Sequence, residues 1–133
     1  MEKQILVIDD SKAIRFLLQT VLSNQYNVVA AADGFSGMYW LSKKNRPDLI
    51  IIDPLMQGVK HWDIIEQLKS SGLHGDIPVI VLSSLASEET REKCQELEVE
   101  AFFSKPFNPL EIVKSIKEIL SGRKVLETTK LAI

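Results

Sequence analysis

The stretch that decides the fold is DLIIIDPLM, residues 48–56. Residues 49–52 form an unbroken apolar run bounded by Pro47 and Pro54, which is typical of a strand buried on both faces of a parallel sheet. In open α/β sheets the binding site lies outside the carboxyl ends of the strands. The sequence therefore predicts that Asp53 reaches a functional edge, although a carboxylate here also suits a strand end or a helix cap.

The same unit of strand and helix recurs on both sides of this stretch. An apolar run is followed each time by apolar residues at helical spacing, with short connections between them. The predicted strands are 5–8, 28–32, 49–52, 77–82 and 101–104, and the predicted helices begin near residues 11, 35, 62, 87 and 109. Residues 57–60 are predicted to form a loop.

This alternation predicts an α/β fold, a doubly wound five-stranded parallel sheet with right-handed crossovers and helices on both faces. Five strands fit the flavodoxin-like order 2-1-3-4-5, a three-layer sandwich. The order reverses between the first and third strands. The predicted crevice therefore opens between Asp9-Asp10 and Asp53.

The second and fourth helices carry separate expectations. Phe35, Met38 and Leu41 are predicted to line the buried face of the second helix. Tyr39 and Trp40 lie off that face and suggest a partner surface, although a tryptophan on a helix flank also covers neighbouring side chains. The fourth helix has a thin apolar face, so we expect it to be the helix that shifts most easily. That face comprises Thr90, Cys94 and Leu97.

Composition limits the classes of partner. With 133 residues, of which 45% are hydrophobic, the chain predicts one domain over 1–121 and a short, flexible C-terminal tail over 122–133. A net charge of −2 gives no general reason to expect nucleic acid or an anionic membrane as partner, so a protein partner is favoured. The single cysteine and the lack of a long apolar run favour the cytoplasm.

Each strand that lines the predicted crevice delivers polar side chains at its carboxyl end. These residues are Asp9 and Asp10, Asp53, Ser83 and Lys105. Three carboxylates so close repel one another unless a cation lies among them, and oxygen ligands beside a phosphoryl group favour Mg²⁺. Lys105 is predicted to lie opposite that cation, and Ser83 supplies a hydroxyl donor. This set of groups favours attack of Asp53 on phosphorus.

The same strand ends form recognisable motifs. They are IDDS at 8–11 with Arg15 five residues after Asp10, the strand ending at Asp53, Ser83-Ser84, and KPF at 105–107. Over residues 4–121 the chain resembles the receiver domain of two-component response regulators. The spacing of all these motifs together makes the resemblance specific.

The resemblance implies a phosphoacceptor switch rather than an enzyme. Asp53 would accept a phosphoryl group from a histidine kinase or phosphotransfer protein, and the signal would pass to a downstream protein partner. The resemblance further implies that Mg²⁺ is bound by Asp9, Asp10, Asp53 and the backbone carbonyl of Leu55. The phosphate would be contacted by the amides of Leu55 and Ser84. Phosphorylation would be coupled to rearrangement by Ser83, Lys105 and Phe102. It is compatible with a monomer or with a dimer that forms on phosphorylation.

Four departures from the family's pattern bear on these expectations. Gln57 replaces a proline and His61 a glycine in the segment after Asp53, so the loop over the site is altered. Glu98 stands where a glycine normally ends the fourth helix, which predicts either left-handed strain or a changed cap. Phe102 occupies a switch position that is often tyrosine and can form no hydroxyl hydrogen bond.

The altered loop leaves open an alternative, a receiver-like interaction module that works without phosphorylation. An aspartyl phosphatase is disfavoured because Leu55, and not an acid, lies two residues beyond Asp53. A flavin or nucleotide carrier is disfavoured because Asp9 and Asp10 would repel a phosphate where a glycine- or serine-rich loop is needed.

Overall fold

The structure, a computed structural model, describes residues 2–85 and 87–122. The strands are β1 (Gln4–Ile8), β2 (Asn27–Ala31), β3 (Leu49–Ile52), β4 (Leu55–Met56), β5 (Val59–Lys60), β6 (Val79–Ser83) and β7 (Ala101–Ser104). The helices are α1 (Lys12–Leu22), α2 (Gly34–Ser42), α3 (Trp62–Ser70), α4 (Glu88–Glu96) and α5 (Pro109–Leu120). The predicted tail lies outside the described residues, except for Gly122.

The five long strands form one parallel sheet in the order β2-β1-β3-β6-β7. Counting these strands alone, this is the predicted order 2-1-3-4-5, so the fold prediction is confirmed. The apolar runs of β1 and β3, residues 5–8 and 49–52, are buried, as an unbroken apolar strand predicts. Their last residues, Ile8 and Ile52, are register partners. The residues that follow β1 and β3 therefore emerge side by side.

Helices cover both faces of this sheet. On one face, Leu41, Ile65 and Cys94 bring α2, α3 and α4 into a single buried cluster. On the other face, Leu18 and Ile112 bring α1 and α5 into a second cluster. The architecture is the predicted three-layer sandwich. No helix in the described ranges is both long enough and apolar enough to cross a membrane.

The predicted orientation of α2 is wrong in part. The Phe35 side chain is 82% exposed, whereas Trp40 packs against the buried cluster. The buried face of α2 is formed by Gly34, Gly37 and Leu41. A Cβ atom at Gly37 would lie 2.6 Å from Cδ1 of Ile8, so glycine allows the helix to approach the sheet closely. Tyr39 is exposed, as predicted.

The predicted loop at 57–60 is also wrong. Leu55–Met56 and Val59–Lys60 pair as antiparallel strands, with Gln57 and Gly58 between them. Both linking residues have positive φ, 54° and 75°, which is the requirement of a type I′ hairpin turn. We call residues 55–60 the site hairpin. Met56 anchors it in the core, since its side chain is only 2% exposed.

The helix α4 has the thin apolar face that the sequence predicts. Its buried residues are Thr90 and Cys94, and Leu97 packs partly against the same cluster. Burial raises the pKa of the Cys94 thiol to about 12, so this cysteine is an inert core residue. Glu98 adopts φ of 55°, so of the two alternatives open at this position, a left-handed residue or a changed cap, the structure has the left-handed residue.

Candidate functional site

Three carboxylates meet at the carboxyl edge of the sheet. Asp9 follows β1 and Asp53 follows β3, and these residues are 1% and 4% exposed. Asp10 is exposed at the rim. One oxygen from each of the three lies within 4.8 Å of the others. The parallel register of β1 and β3 thus brings together acids that lie more than 40 residues apart in the chain.

Lys105 pairs with both buried acids. It follows β7, and its Nζ lies 2.8 Å from Oδ2 of Asp53 and 2.8 Å from Oδ2 of Asp9. The sequence predicts this ammonium group opposite a cation, and in the structure it lies between the two carboxylates. In this position the single positive charge of the lysine offsets part of the combined negative charge of the two acids.

Burial and charge act in opposite directions on the ionisation of this group of residues. Desolvation raises the pKa of the Asp53 carboxyl, and the hydrogen bond from Lys105 offsets only part of that rise. Desolvation alone would lower the pKa of Lys105, but the hydrogen bonds and charges of Asp53 and Asp9 together raise it above its ordinary value. Lys105 is therefore held in its charged form beside Asp53.

Backbone amides and one arginine complete the support of the acids. The Ser11 amide donates to Oδ1 of Asp9 over 2.8 Å, and Arg15 donates to the Asp9 carbonyl oxygen over 2.8 Å. The Leu55 amide donates to Oδ1 of Asp53 over 2.7 Å. Ser11 also caps α1 by accepting from the Ile14 amide, so the same turn starts the helix and orients Asp9. Both oxygens of Asp53 thus have a donor.

Ser83 and Phe102 lie on the two strands beyond β3, β6 and β7. Ser83 ends β6 and is completely buried, and its Oγ accepts from the Leu85 amide over 3.0 Å. Ser84 follows at the exposed rim. Phe102 pairs in register with Val81 and is 2% exposed, so its ring is in the inward position. The structure thus places Ser83 next to the carboxyl edge and Phe102 within the core behind it.

The site hairpin is the part of the site that sequence reasoning missed. Its Gln57 amide donates to Oδ2 of Asp10 over 2.9 Å, and the Lys60 ammonium lies 3.2 Å from Oε1 of Glu89 in α4. The only local sequence feature that indicates this hairpin is the Gln57-Gly58 pair between apolar residues. It is weak, because Asn-Gly and Asp-Gly are the usual type I′ sequences.

The donor set suits a hard cation. Asp9, Asp10 and Asp53 offer carboxylate oxygens, which are ligands that Mg²⁺ and other hard divalent ions prefer. The group could therefore hold a metal ion, provided that Lys105 gives up part of its contact with Asp9 and Asp53. Leu55, whose backbone carbonyl the family resemblance implies as a further ligand, follows the short Asp53-Pro54 connection at the start of the site hairpin.

Comparison with known proteins gives matches over most of the chain. The family model for the response regulator receiver domain matches residues 5–117. Over 121 residues the chain is 34% identical to the phosphate regulon transcriptional regulatory protein PhoB of Escherichia coli K12, a match covering 90% of this chain and 52% of PhoB. The chain spans about half the length of such curated relatives.

Two solved structures show the same arrangement of the whole domain. The signal receiver domain of a signal transduction histidine kinase from Syntrophus aciditrophicus is 30% identical with a TM-score of 0.81, covering 98% of this chain and 99% of that one. The chemotaxis response regulator CheY4 of Vibrio cholerae is 25% identical with a TM-score of 0.79, covering 90% and 99%.

Proposed function

The chain belongs to the response regulator receiver domain family of two-component systems, and from this premise we propose that it is a Mg²⁺-dependent phosphoacceptor switch with Asp53 as the acceptor. The observation that carries the proposal is the environment of the Asp53 carboxylate. It lies at the carboxyl edge of the sheet, almost fully buried, beside a charged lysine and two further carboxylates. An oxygen nucleophile and groups that neutralise phosphoryl charge are thus within reach of one another.

In the proposed reaction, an Asp53 oxygen forms a bond to phosphorus while the bond from phosphorus to the imidazole nitrogen of the donor breaks. The nitrogen keeps the electron pair, and the product is an acyl phosphate. Because the Leu55 amide and Lys105 each hold one Asp53 oxygen, one of these contacts must open as the new bond forms. The freed donor is then positioned to offset the charge of the transferred group.

Asp9, Asp10 and Asp53, with the Leu55 backbone carbonyl, would hold Mg²⁺ in this proposal. When bound, the ion supplies neutralisation of charge on the phosphoryl oxygens. The support for this assignment is the oxygen-only donor set and the mutual distance of at most 4.8 Å among its carboxylate oxygens. The raised pKa of Asp53, caused by desolvation, also indicates that the acids need more positive charge than Lys105 alone provides.

Ser83, Ser84 and Phe102 would turn phosphorylation into a change of surface. We propose that the Ser83 hydroxyl and the amides of Leu55 and Ser84 contact the phosphoryl group. Moving the Ser83 hydroxyl would break its contact with the Leu85 amide, which lies in the connection to α4. Phe102 lies on the neighbouring strand, so the expected output surface is α4, β7 and α5.

Receiver domains act with histidine kinases and with downstream effectors. For this chain we propose a histidine kinase or phosphotransfer protein as donor and a protein as the downstream partner, in the cytoplasm. The chain is then a signalling switch rather than an enzyme. We expect the protein to be a monomer that either stays monomeric or dimerises on phosphorylation. Sedimentation with and without a phosphoryl donor measures this oligomeric state.

The test is uptake of phosphoryl from acetyl phosphate. We expect wild-type protein to be labelled with Mg²⁺ and not with chelator, and Asp53→Ala to be unlabelled. Asp63→Ala is the control, because Asp63 is an exposed aspartate in the first turn of α3. Labelling of Asp53→Ala at the wild-type level would overturn the assignment. Failure of wild type to take up phosphoryl or to bind beryllofluoride would instead favour the phosphorylation-independent module.

A further inference from the structure

The site hairpin connects Asp10 to the helix α4. Among the described residues, no other hydrogen bond or ion pair joins these two directly. At its turn, the Gln57 amide donates to Oδ2 of Asp10 over 2.9 Å. At the end of β5, the Lys60 ammonium lies 3.2 Å from Oε1 of Glu89, in the first turn of α4. The four residues from Gln57 to Lys60 thus link an acid of the proposed cation site to α4.

The backbone of the site hairpin makes this connection stiff. Leu55 pairs with Lys60 and Met56 with Val59, so the two strands move together. Gln57 can donate to Asp10 only because it is not the proline found at this position in the family's usual pattern. A proline has no N–H and cannot adopt the φ of 54° that this turn uses. The connection is therefore a property of this chain's own sequence.

The hydrogen bond of Gln57 opposes use of the same Asp10 oxygen by a cation. An amide hydrogen directs its partial positive charge at that oxygen and holds the carboxylate in one orientation. The amide thus competes with a cation for this oxygen, and any shift of Asp10 toward Asp9 and Asp53 on cation binding would move the site hairpin or lengthen this bond. Either movement strains the contact between Lys60 and Glu89, since both ends belong to one paired unit.

We propose that Lys60 and Glu89 are positioning residues that lower the cation affinity of the carboxylate site by holding the site hairpin against Asp10. The proposal rests on the proposed function for the cation itself. It deepens that function by giving the site a mechanical link to α4, the helix with the thin apolar face. Because coupling between two sites is reciprocal, cation binding must weaken the attachment of α4 to the site hairpin.

Glu89→Gln separates this link from simple electrostatics. Removing a negative charge from the surface should weaken the binding of a cation, or leave it unchanged, if charge alone matters. The proposal predicts the opposite sign, because release of Lys60 frees the site hairpin and Asp10. An exposed ion pair limits the effect, so we expect Mg²⁺ to bind about two- to fivefold more tightly, at low ionic strength.

The measurement is calorimetric titration of each purified protein with MgCl₂. Glu92→Gln is the matched control, an exposed glutamate on the same helix, and should bind Mg²⁺ no more tightly than wild type. The charge swap Lys60→Glu/Glu89→Lys restores an ion pair and should return the affinity to the wild-type value. Raising the salt concentration should remove the difference between wild type and Glu89→Gln, because salt screens the pair.

Hydrogen exchange supplies the reciprocal measurement. Mg²⁺ should speed exchange of the Thr90 and Arg91 amides, which donate to Ser87 at the start of α4, in wild type and have no such effect in Glu89→Gln. Equal or weaker Mg²⁺ binding by Glu89→Gln, with wild type binding normally, overturns the proposed link and leaves the proposed function intact. Absence of Mg²⁺ binding by wild type overturns both.

Discussion

Replacing Lys105 with methionine should destabilise the protein by leaving two buried carboxylates without their shared cation. The ammonium group is 2.8 Å from an oxygen of each acid, and the side chain of Lys105 is only 16% exposed. Methionine keeps the length and apolar stem of the side chain but removes the charge. The loss should therefore report on the charge rather than on packing.

The size of the loss has an upper limit. Without Lys105, Asp9 and Asp53 can relieve their repulsion by holding one proton between them. For a carboxyl with an ordinary pKa of 3.8, binding a proton at pH 7 costs about 4.4 kcal/mol. Removing one partner of a buried ion pair typically costs about 3–5 kcal/mol. We therefore expect the free energy of unfolding to fall by about 3–4 kcal/mol at pH 7 in the absence of Mg²⁺.

The loss should become smaller as the pH falls. A carboxyl whose folded-state pKa is raised carries its full penalty above that pKa and loses it as the pH drops toward 3.8. Removal of the lysine charge raises the carboxyl pKa further. The loss in free energy of unfolding of Lys105→Met relative to wild type should therefore shrink by up to about 1.4 kcal/mol per pH unit on acidification. Lys105 has a raised pKa because its contacts with the acids outweigh desolvation, so the wild-type contribution of the lysine is constant below its ordinary 10.5.

Urea unfolding of both proteins between pH 4 and 8 in chelator measures this deficit. Lys114→Met, which removes an exposed lysine from α5, is the control and should change the free energy of unfolding by less than about 0.5 kcal/mol. Saturating MgCl₂ should reduce the deficit of Lys105→Met, because a cation then replaces the ammonium charge. A variant as stable as wild type at pH 7, or a deficit independent of pH, would refute the reasoning.

Three further outcomes are expected. By resemblance to receiver domains, Leu55 and Leu85 would flank the approach of water to an acyl phosphate on Asp53. Neither side chain can orient that water, so Leu55→Asn/Leu85→Glu should speed dephosphorylation at least tenfold, within the roughly 10²–10⁴ that positioned proton transfer provides; unchanged decay contradicts this. Glu98→Gly should stabilise the fold by about 1 kcal/mol in thermal unfolding, because it relieves a φ of 55°, whereas Glu92→Gly, at an exposed position in the middle of α4, should cost about that much. Beryllofluoride should change hydrogen exchange in α4, β7 and α5; changes confined to α2 would place the output surface there instead.

The sheet and the polar residues at its edge could be predicted from the sequence. Strands buried on both faces require unbroken apolar runs, and each run here ends at a polar residue, so the order of elements alone places Asp9, Asp53 and Lys105 at one edge. The orientation of α2 could not be predicted in the same way. Its buried face includes Gly34 and Gly37, and glycine contributes no hydrophobic signal although it permits the closest approach to the sheet.

The sequence by itself thus determined the topology and the set of acids, because both follow from local patterns of apolar and polar residues. Only the tertiary structure decided that Lys105 lies between Asp9 and Asp53 and that Gln57 donates to Asp10. Those contacts join residues 47 to 96 positions apart. Their distances depend on strand register and on a turn with two positive φ values, neither of which leaves a strong pattern in the neighbouring residues.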